Sequence, residues 1–254
     1  MKTFLDFDLP KSLQKALDEL GFVNPTPIQE KSFSVILSGR DMMGIAQTGT
    51  GKTFAYLLPI LKQWKFQNTE SPRVVILVPT RELVVQVVEE VEKLTQFMSV
   101  RTLGIYGGVN INTQRKDLAQ GVDILVGTPG RTMDLALDGV LRFDALQKLV
   151  IDEFDEILNL GFRVQLTSIL SMMKSKRQNI MFSATMTEDV DDVLDEFFEY
   201  LDEKDKIQSS QICLEYLRNE IDWIVINHSI TFMRNHKELF DFNDSSLIKL
   251  IKSF

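Results

Sequence analysis

The chain has 254 residues, 44% hydrophobic and 25% charged, the balance of an ordinary globular protein with one large domain or two small ones. A single cysteine, Cys213, excludes an internal disulfide framework, and no run approaches the ~18 apolar residues of a membrane span. The net charge of -8 is the wrong sign for a bulk polyanion binder, so any nucleic-acid contact has to be local, made by a few amides and well-placed arginines.

The early aspartates Asp6 and Asp8 interrupt any apolar leader, which with the lone cysteine leads us to expect a cytoplasmic protein. Short β-branched runs then alternate with helical patterns. Strands are expected at 42–46, 74–78, 102–106, 123–126, 148–151 and 179–182. These runs are nearly continuous in apolar residues, as in strands buried on both faces of a parallel sheet. After residue 80, Leu83, Val87, Val88, Val91 and Leu94 recur at three- and four-residue steps, which predicts a helix. The alternation predicts an α/β fold, a mainly parallel sheet with helices on both faces and ligands at the carboxyl ends of the strands. This rhythm occupies residues 1–200. From Leu201 to Phe254 it stops, and Leu214, Leu217, Ile221, Ile224 and Val225 have a rough helical spacing.

Directly after the first expected strand comes Ala46-Gln47-Thr48-Gly49-Thr50-Gly51-Lys52-Thr53, a phosphate-binding (Walker A) loop with alanine at the usual first glycine. Its glycines let backbone N–H groups turn inward onto phosphate oxygens, and the following helix aims its positive end at the same anion. Lys52 supplies a charge for the β and γ phosphates, and Thr53 a hydroxyl for Mg2+. The bland alternative, a glycine-rich turn capped by threonine, does not account for a strand before it and a helix after it.

The fifth run enters Asp152-Glu153-Phe154-Asp155 without a break. Acids at a strand end also suit a solvated helix N-terminus. Paired in order with the phosphate loop, they read as a metal site. Asp152 would hold Mg2+ through its water shell, and Glu153 would orient and deprotonate an attacking water.

Taken together, residues 4 to about 200 resemble the first RecA-like lobe of DEAD-box RNA helicases. Gly21-Phe22-Val23-Asn24-Pro25-Thr26-Pro27-Ile28-Gln29 is similar to the family's Q motif, whose glutamine reads the adenine edge; Phe4 has the spacing of the family's upstream stacking aromatic. A side-chain amide offers one donor and one acceptor, which matches adenine N6 and N7. Gln29 without its Pro-Thr-Pro neighbours would read as an exposed helix residue. Pro79-Thr80-Arg81-Glu82-Leu83 looks like motif Ia, Gly107-Gly108 like the GG turn, and Thr128-Pro129-Gly130-Arg131 like motif Ib. The resemblance implies that these loops hold the backbone of single-stranded or duplex RNA without reading its sequence. Thr80 and Thr128 also suit plain N-caps, and the two roles are compatible. Ser183-Ala184-Thr185 looks like motif III, which in the family bonds the last acid of motif II, here Asp155, and couples hydrolysis to RNA movement. The cofactors implied are ATP and Mg2+.

Two departures stand out. Motif II carries Phe154 where the family has alanine, so its ring must find a pocket or push Asp155 off Ser183 and Thr185. Residues 201–254 carry no arginine-rich motif of the family's second lobe and are too few to build one. The leading expectation is therefore the N-terminal lobe of an ATP-dependent RNA helicase. Its competitors are a catalytically incompetent single-lobe nucleotide- or RNA-binding module or a truncated fragment, and an unrelated or DNA-directed P-loop ATPase. Trp223, His228 and His236 form no recognisable metal or catalytic set.

Overall fold

A computed structural model describes residues 2–174, 176–185, 190 and 223–225. Six parallel strands form the centre: β1 (Met42–Ala46), β2 (Val74–Leu77), β3 (Thr102–Ile105), β4 (Ile124–Gly127), β5 (Lys148–Ile151) and β6 (Gln178–Ser183). A short strand, β7 (Trp223–Val225), runs antiparallel along the outer edge of β1, giving the order β3-β4-β2-β5-β6-β1-β7. The strands fall within a residue or two of the expected runs.

Successive strand residues face opposite layers. Met42, Val74, Ile76, Val126, Val150, Ile180 and Phe182 join one apolar core. Their neighbours Met43, Val75, Leu77, Leu125, Leu149, Ile151 and Met181 join a second core on the other side. The first core packs under α1 (Lys11–Glu19), α2 (Pro27–Leu37), α3 (Lys52–Lys62) and α4 (Arg81–Thr95). The second lies under α5 (Ile111–Leu118), α6 (Pro129–Leu137), α7 (Phe154–Asn159) and α8 (Arg163–Met172). Both faces are covered, so the strands lack the polar–apolar alternation of a half-exposed sheet.

The helical spacing noted after residue 201 is corrected where that segment is described. Trp223–Val225 is a strand, with Gly44, Ile45 and Ala46 opposite Val225, Ile224 and Trp223. Trp, Ile and Val favour strands, and the edge of β1 offers an unpaired row of backbone groups. Leu214, Leu217, Ile221, His228 and His236 lie outside the described residues.

The far edge is pinned by one buried carboxylate. Asp123, fully buried just before β4, accepts bonds from the Arg101 backbone N–H (2.9 Å), Nε (3.1 Å) and Nη2 (3.0 Å), just before β3. Asp123→Ala would leave that guanidinium only partly solvated. We expect it to lower unfolding free energy by on the order of 3 kcal/mol in urea titrations. A loss under 1 kcal/mol would mean that the strand pairing alone holds this edge.

Candidate functional site

The helices begin where the strands end, so the loops after β1, β5 and β6 meet at one side of the carboxyl edge. β6 lies between β1 and β5, and neighbouring strands are ~4.8 Å apart, so the phosphate loop and the acidic strand end stand about two strand spacings from each other. They border one cavity of about 350 Å³, lined by Thr48, Gly49, Gly51, Lys52, Thr53, Asp152 and Glu153 among others. Thr48 Oγ1 reaches Glu153 Oε1 at 3.4 Å, which closes the gap between the two loops.

Gly49 and Gly51 have φ of 85° and 88°, where a side chain would be strained. Gly51 is the N-cap of α3 and has no side chain to bond the first-turn N–H groups, which are left for an anion. Lys52 is 5% exposed, and its Nζ has no hydrogen-bond partner. An orphaned buried ammonium above an uncapped helix start fits a polyphosphate. Ala46, the last residue of β1, is buried in the core, and Gln47 and Thr50 shape the loop through Thr50 Oγ1 donating to the Gln47 carbonyl at 2.8 Å.

Asp152 is buried, and its carboxyl is pushed up to about 6. Burial is the main cause, Lys52 opposes it, and the neighbouring Glu153 adds to it. Glu153 holds a left-handed backbone, φ 52°, which turns the chain sharply from β5 into α7. For a side chain that size such a conformation costs ~1–3 kcal/mol, a strain typical of functional sites. Paired oxygens of Asp152 and Glu153 together with the Thr53 hydroxyl form a hard donor set that suits Mg2+.

Gln29 lines the same cavity and is mostly buried. Its Oε1 accepts from the Thr26 backbone N–H (3.0 Å), completing a capping box at the start of α2, and its Nε2 donates to the Gly51 carbonyl (3.1 Å). Each end of the amide keeps one further hydrogen-bonding position, so it can still read one donor and one acceptor on a ligand. Phe4 is a correction. It is 2% exposed and sits in the core, edge-on to Phe7 at 5.7 Å, because the 3-10 turn Phe4–Phe7 points its aromatic rings inward. The exposed aromatic at the cavity is Phe22, 45% exposed and edge-on at 5.2 Å to Phe54, a buried aromatic that also lines it. Its place within the run ending at Gln29 was the sequence signal for it.

Behind the cavity, Thr185 Oγ1 and N–H donate to Asp155 Oδ2 at 2.8 and 3.0 Å, and the Ala184 N–H donates to Oδ1 at 3.4 Å. Ser183 Oγ accepts from the Asp155 N–H (3.3 Å) and donates to the Thr185 carbonyl (2.8 Å). Burial would raise the Asp155 carboxyl, but these bonds, led by Thr185, hold it below its ordinary value. Phe154 does not disturb them. Its ring is fully buried in the second core with Ile151 and Ile157.

The remaining loops follow β2, β3 and β4, which are neighbours, so they form a contiguous second face. Thr80 caps α4, its Oγ1 accepting from the Leu83 N–H at 3.3 Å, and Arg81 is exposed with its guanidinium 4.9 Å from the Tyr106 ring centroid. Gly107 and Gly108 are exposed between β3 and α5. Thr128 and Pro129 open α6 and are buried, with Gly130 half-exposed behind them. Arg131 points inward: Nη1 donates to Gln114 Oε1 (2.6 Å) and Nη2 to the Val109 carbonyl (3.1 Å). It braces the glycine turn, with its remaining N–H groups left for a ligand.

The sequence that builds this site has known relatives. The family model for DEAD/DEAH box helicases matches residues 26–193. The chain belongs to the DEAD/DEAH box helicase family. It is 42% identical over 190 residues to the ATP-dependent RNA helicase CshA of Listeria monocytogenes, covering 75% of this chain and 36% of that one. It is 41% identical over 197 residues to the DEAD-box ATP-dependent RNA helicase CshA of Bacillus subtilis, covering 77% and 39%. To the ATP-dependent RNA helicase DeaD of Buchnera aphidicola it is 36% identical over 242 residues, covering 95% and 40%. This DEAD/DEAH box chain thus spans roughly a third to two fifths of the length of the curated relatives it matches. Among the described residues, no helix is long and apolar enough to cross a membrane.

In this member of the family, restoring the motif's alanine should harm the fold. Phe154→Ala empties a fully buried site, and we expect a loss of about 3–5 kcal/mol in urea unfolding of the ligand-free chain. A neutral result would mean that the ring fills no space the core needs.

Asp152 gives the opposite prediction. Between its usual pKa of 3.8 and about 6 the folded chain holds a proton that the unfolded chain releases, so this group's contribution to stability falls as pH rises through that window. Asp152→Asn should therefore stabilise the metal- and nucleotide-free protein by ~2 kcal/mol at pH 7.5, a gain that vanishes near pH 4. Thermal melts in a chelator at both values check the sign.

Proposed function

We propose that the chain is the ATP- and RNA-binding lobe of an ATP-dependent RNA helicase. The observation that carries this reading is the buried, unpartnered Lys52 ammonium, in one cavity with the Asp152–Glu153 carboxylates and the Gln29 amide. The relatives' names supply the reaction class, and the local chemistry is consistent with it.

Lys52 and the first-turn N–H groups of α3 would bind the terminal phosphates, while Gln29 and Phe22 would bracket the base. Thr53 and Asp152 would hold Mg2+, which supplies charge neutralisation between the phosphates. Glu153, positioned beside Thr48, would orient the attacking water and accept its proton. Asp155 would pass the state of this site to Thr185 through the bonds they share. Along the second face, Thr80, Arg81, Gly107, Gly108, Thr128, Pro129, Gly130 and Arg131 offer amides, hydroxyls and guanidiniums suited to an RNA backbone. The single cysteine suits a reducing compartment, and a cytoplasmic location goes with this reading.

Binding and turnover separate at one point: among the described residues, no arginine lines the cavity. An arginine finger is typically worth ~10³–10⁵ in rate. This favours a second reading for the isolated chain, a module that binds nucleotide and RNA with little hydrolysis. RNA-stimulated turnover near ~1 s⁻¹ by the chain alone would rule that out.

The binding test uses a fluorescent ATP analogue with Mg2+. ATP should compete at least ~10-fold better than GTP, and Gln29→Ala should abolish the preference. Lys52→Ala should weaken affinity ~10–100-fold, the loss expected for a charged hydrogen bond. Equal competition by GTP together with full affinity in Lys52→Ala would defeat the assignment. An RNA strand should also bind better than DNA of the same sequence, because only RNA carries the 2′-hydroxyl.

A further inference from the structure

One side chain packed behind the residues that line this site has no part in the scheme above. Tyr56 lies on α3 four residues after Lys52, hence one turn deeper on the same helical face. It is fully buried, its ring tilted against Phe182 of β6 with centroids 5.8 Å apart. Its hydroxyl lies within reach of Thr53 and Asp152 but completes no well-formed hydrogen bond to either. A phenylalanine would fill the same space without leaving a polar atom dry, so the hydroxyl is a cost to the ligand-free fold.

Thr53 on the same helix and Asp152 at the end of β5 are within reach of that hydroxyl. A phenol is an O–H donor at neutral pH, and Asp152 offers it a carboxylate oxygen. The Asp152 carboxylate already accepts one bond, from the Glu153 N–H to Oδ1 at 2.9 Å. Oxygens that serve a metal's water shell need a fixed orientation, and neighbouring donors commonly provide it.

We propose that Tyr56 is a positioning residue for the metal–triphosphate site, donating its hydroxyl to Asp152 in the loaded state and fixing the orientation in which that carboxylate serves the metal. The inference rests on the ATP-binding reading given above. It explains why a polar atom is kept in an otherwise apolar layer between α3 and the sheet. Loss of such a supporting partner typically lowers metal affinity ~10–100-fold.

Tyr56→Phe removes only the oxygen. Binding of the fluorescent ATP analogue is followed across a Mg2+ titration and again in EDTA, for the wild-type chain, Tyr56→Phe and Lys52→Ala. We expect Tyr56→Phe to melt at the wild-type temperature or above it and to bind nucleotide within twofold of wild type in EDTA. It should need about 10-fold more Mg2+ for half-maximal binding. An unchanged Mg2+ midpoint would overturn the role, as would equal weakening with and without metal, which marks a packing defect. Lys52→Ala keeps the two ideas apart. If it abolishes binding while Tyr56→Phe leaves the midpoint unmoved, the ATP site stands and Tyr56 has no part in it. If the wild-type chain binds no nucleotide, both fall.

Discussion

Lys52 carries a buried ammonium with no hydrogen-bond partner, in the same cavity as a carboxylate that it influences through space without pairing. Burying either charge is unfavourable, and leaving both short of partners is worse than joining them. The fold tolerates this because its stability lies elsewhere, in two apolar cores that cover the sheet from both sides. The rigid sheet keeps the charges apart. The strands that lead to the two groups, β1 and β5, are each locked by a parallel neighbour. A site that cannot satisfy itself is a site that can be satisfied by a ligand.

Strand order sets which segments meet at the cavity. The loops after β1 and β5 line it together with Val78 at the end of β2 and Leu83, Gln86, Val87 and Glu90 of α4, and the loops after β4 and β3 continue the carboxyl edge beyond them. Within the β2–β5 pair the Asp152 N–H donates to the Leu77 carbonyl at 2.9 Å. The backbone of the acidic strand end is therefore hydrogen-bonded to the strand that leads into Pro79, Thr80 and Arg81. One hydrogen-bonded step of backbone thus links the Asp152 side of the cavity to the segment that opens α4.

Much of this was legible in the sequence. The six central strands and the loops that follow them carry local constraints: apolar runs, glycines at left-handed positions, and acids at a strand end. Phe4 was not legible, because spacing places a residue along the chain but does not say which way a turn faces, and its 3-10 turn faces the core. Arg131 was read as part of a loop that holds the RNA backbone, and its bonds to Gln114 and Val109 involve a different helix and loop that no local pattern connects to it. Phe154 broke the family pattern in sequence, and only the packing around it shows where the ring goes. Tyr56 gave no sequence signal at all. Among apolar neighbours on α3 it reads as one more core aromatic, and the placement of its hydroxyl is a property of three dimensions.

The double engagement of Gln29 has a thermodynamic consequence. Its amide is tied at one end to the cap of α2 and at the other to the Gly51 carbonyl, so in the proposed reading the group facing the base is bolted to the loop facing the phosphates. A Cβ on Gly51 would come within 2.4 Å of that amide, which leaves little slack between them. Nucleoside and polyphosphate are then not independent guests. Each fragment alone must order the shared joint by itself, whereas the intact nucleotide orders it once, so the sum of the fragments' binding free energies should fall short of the whole.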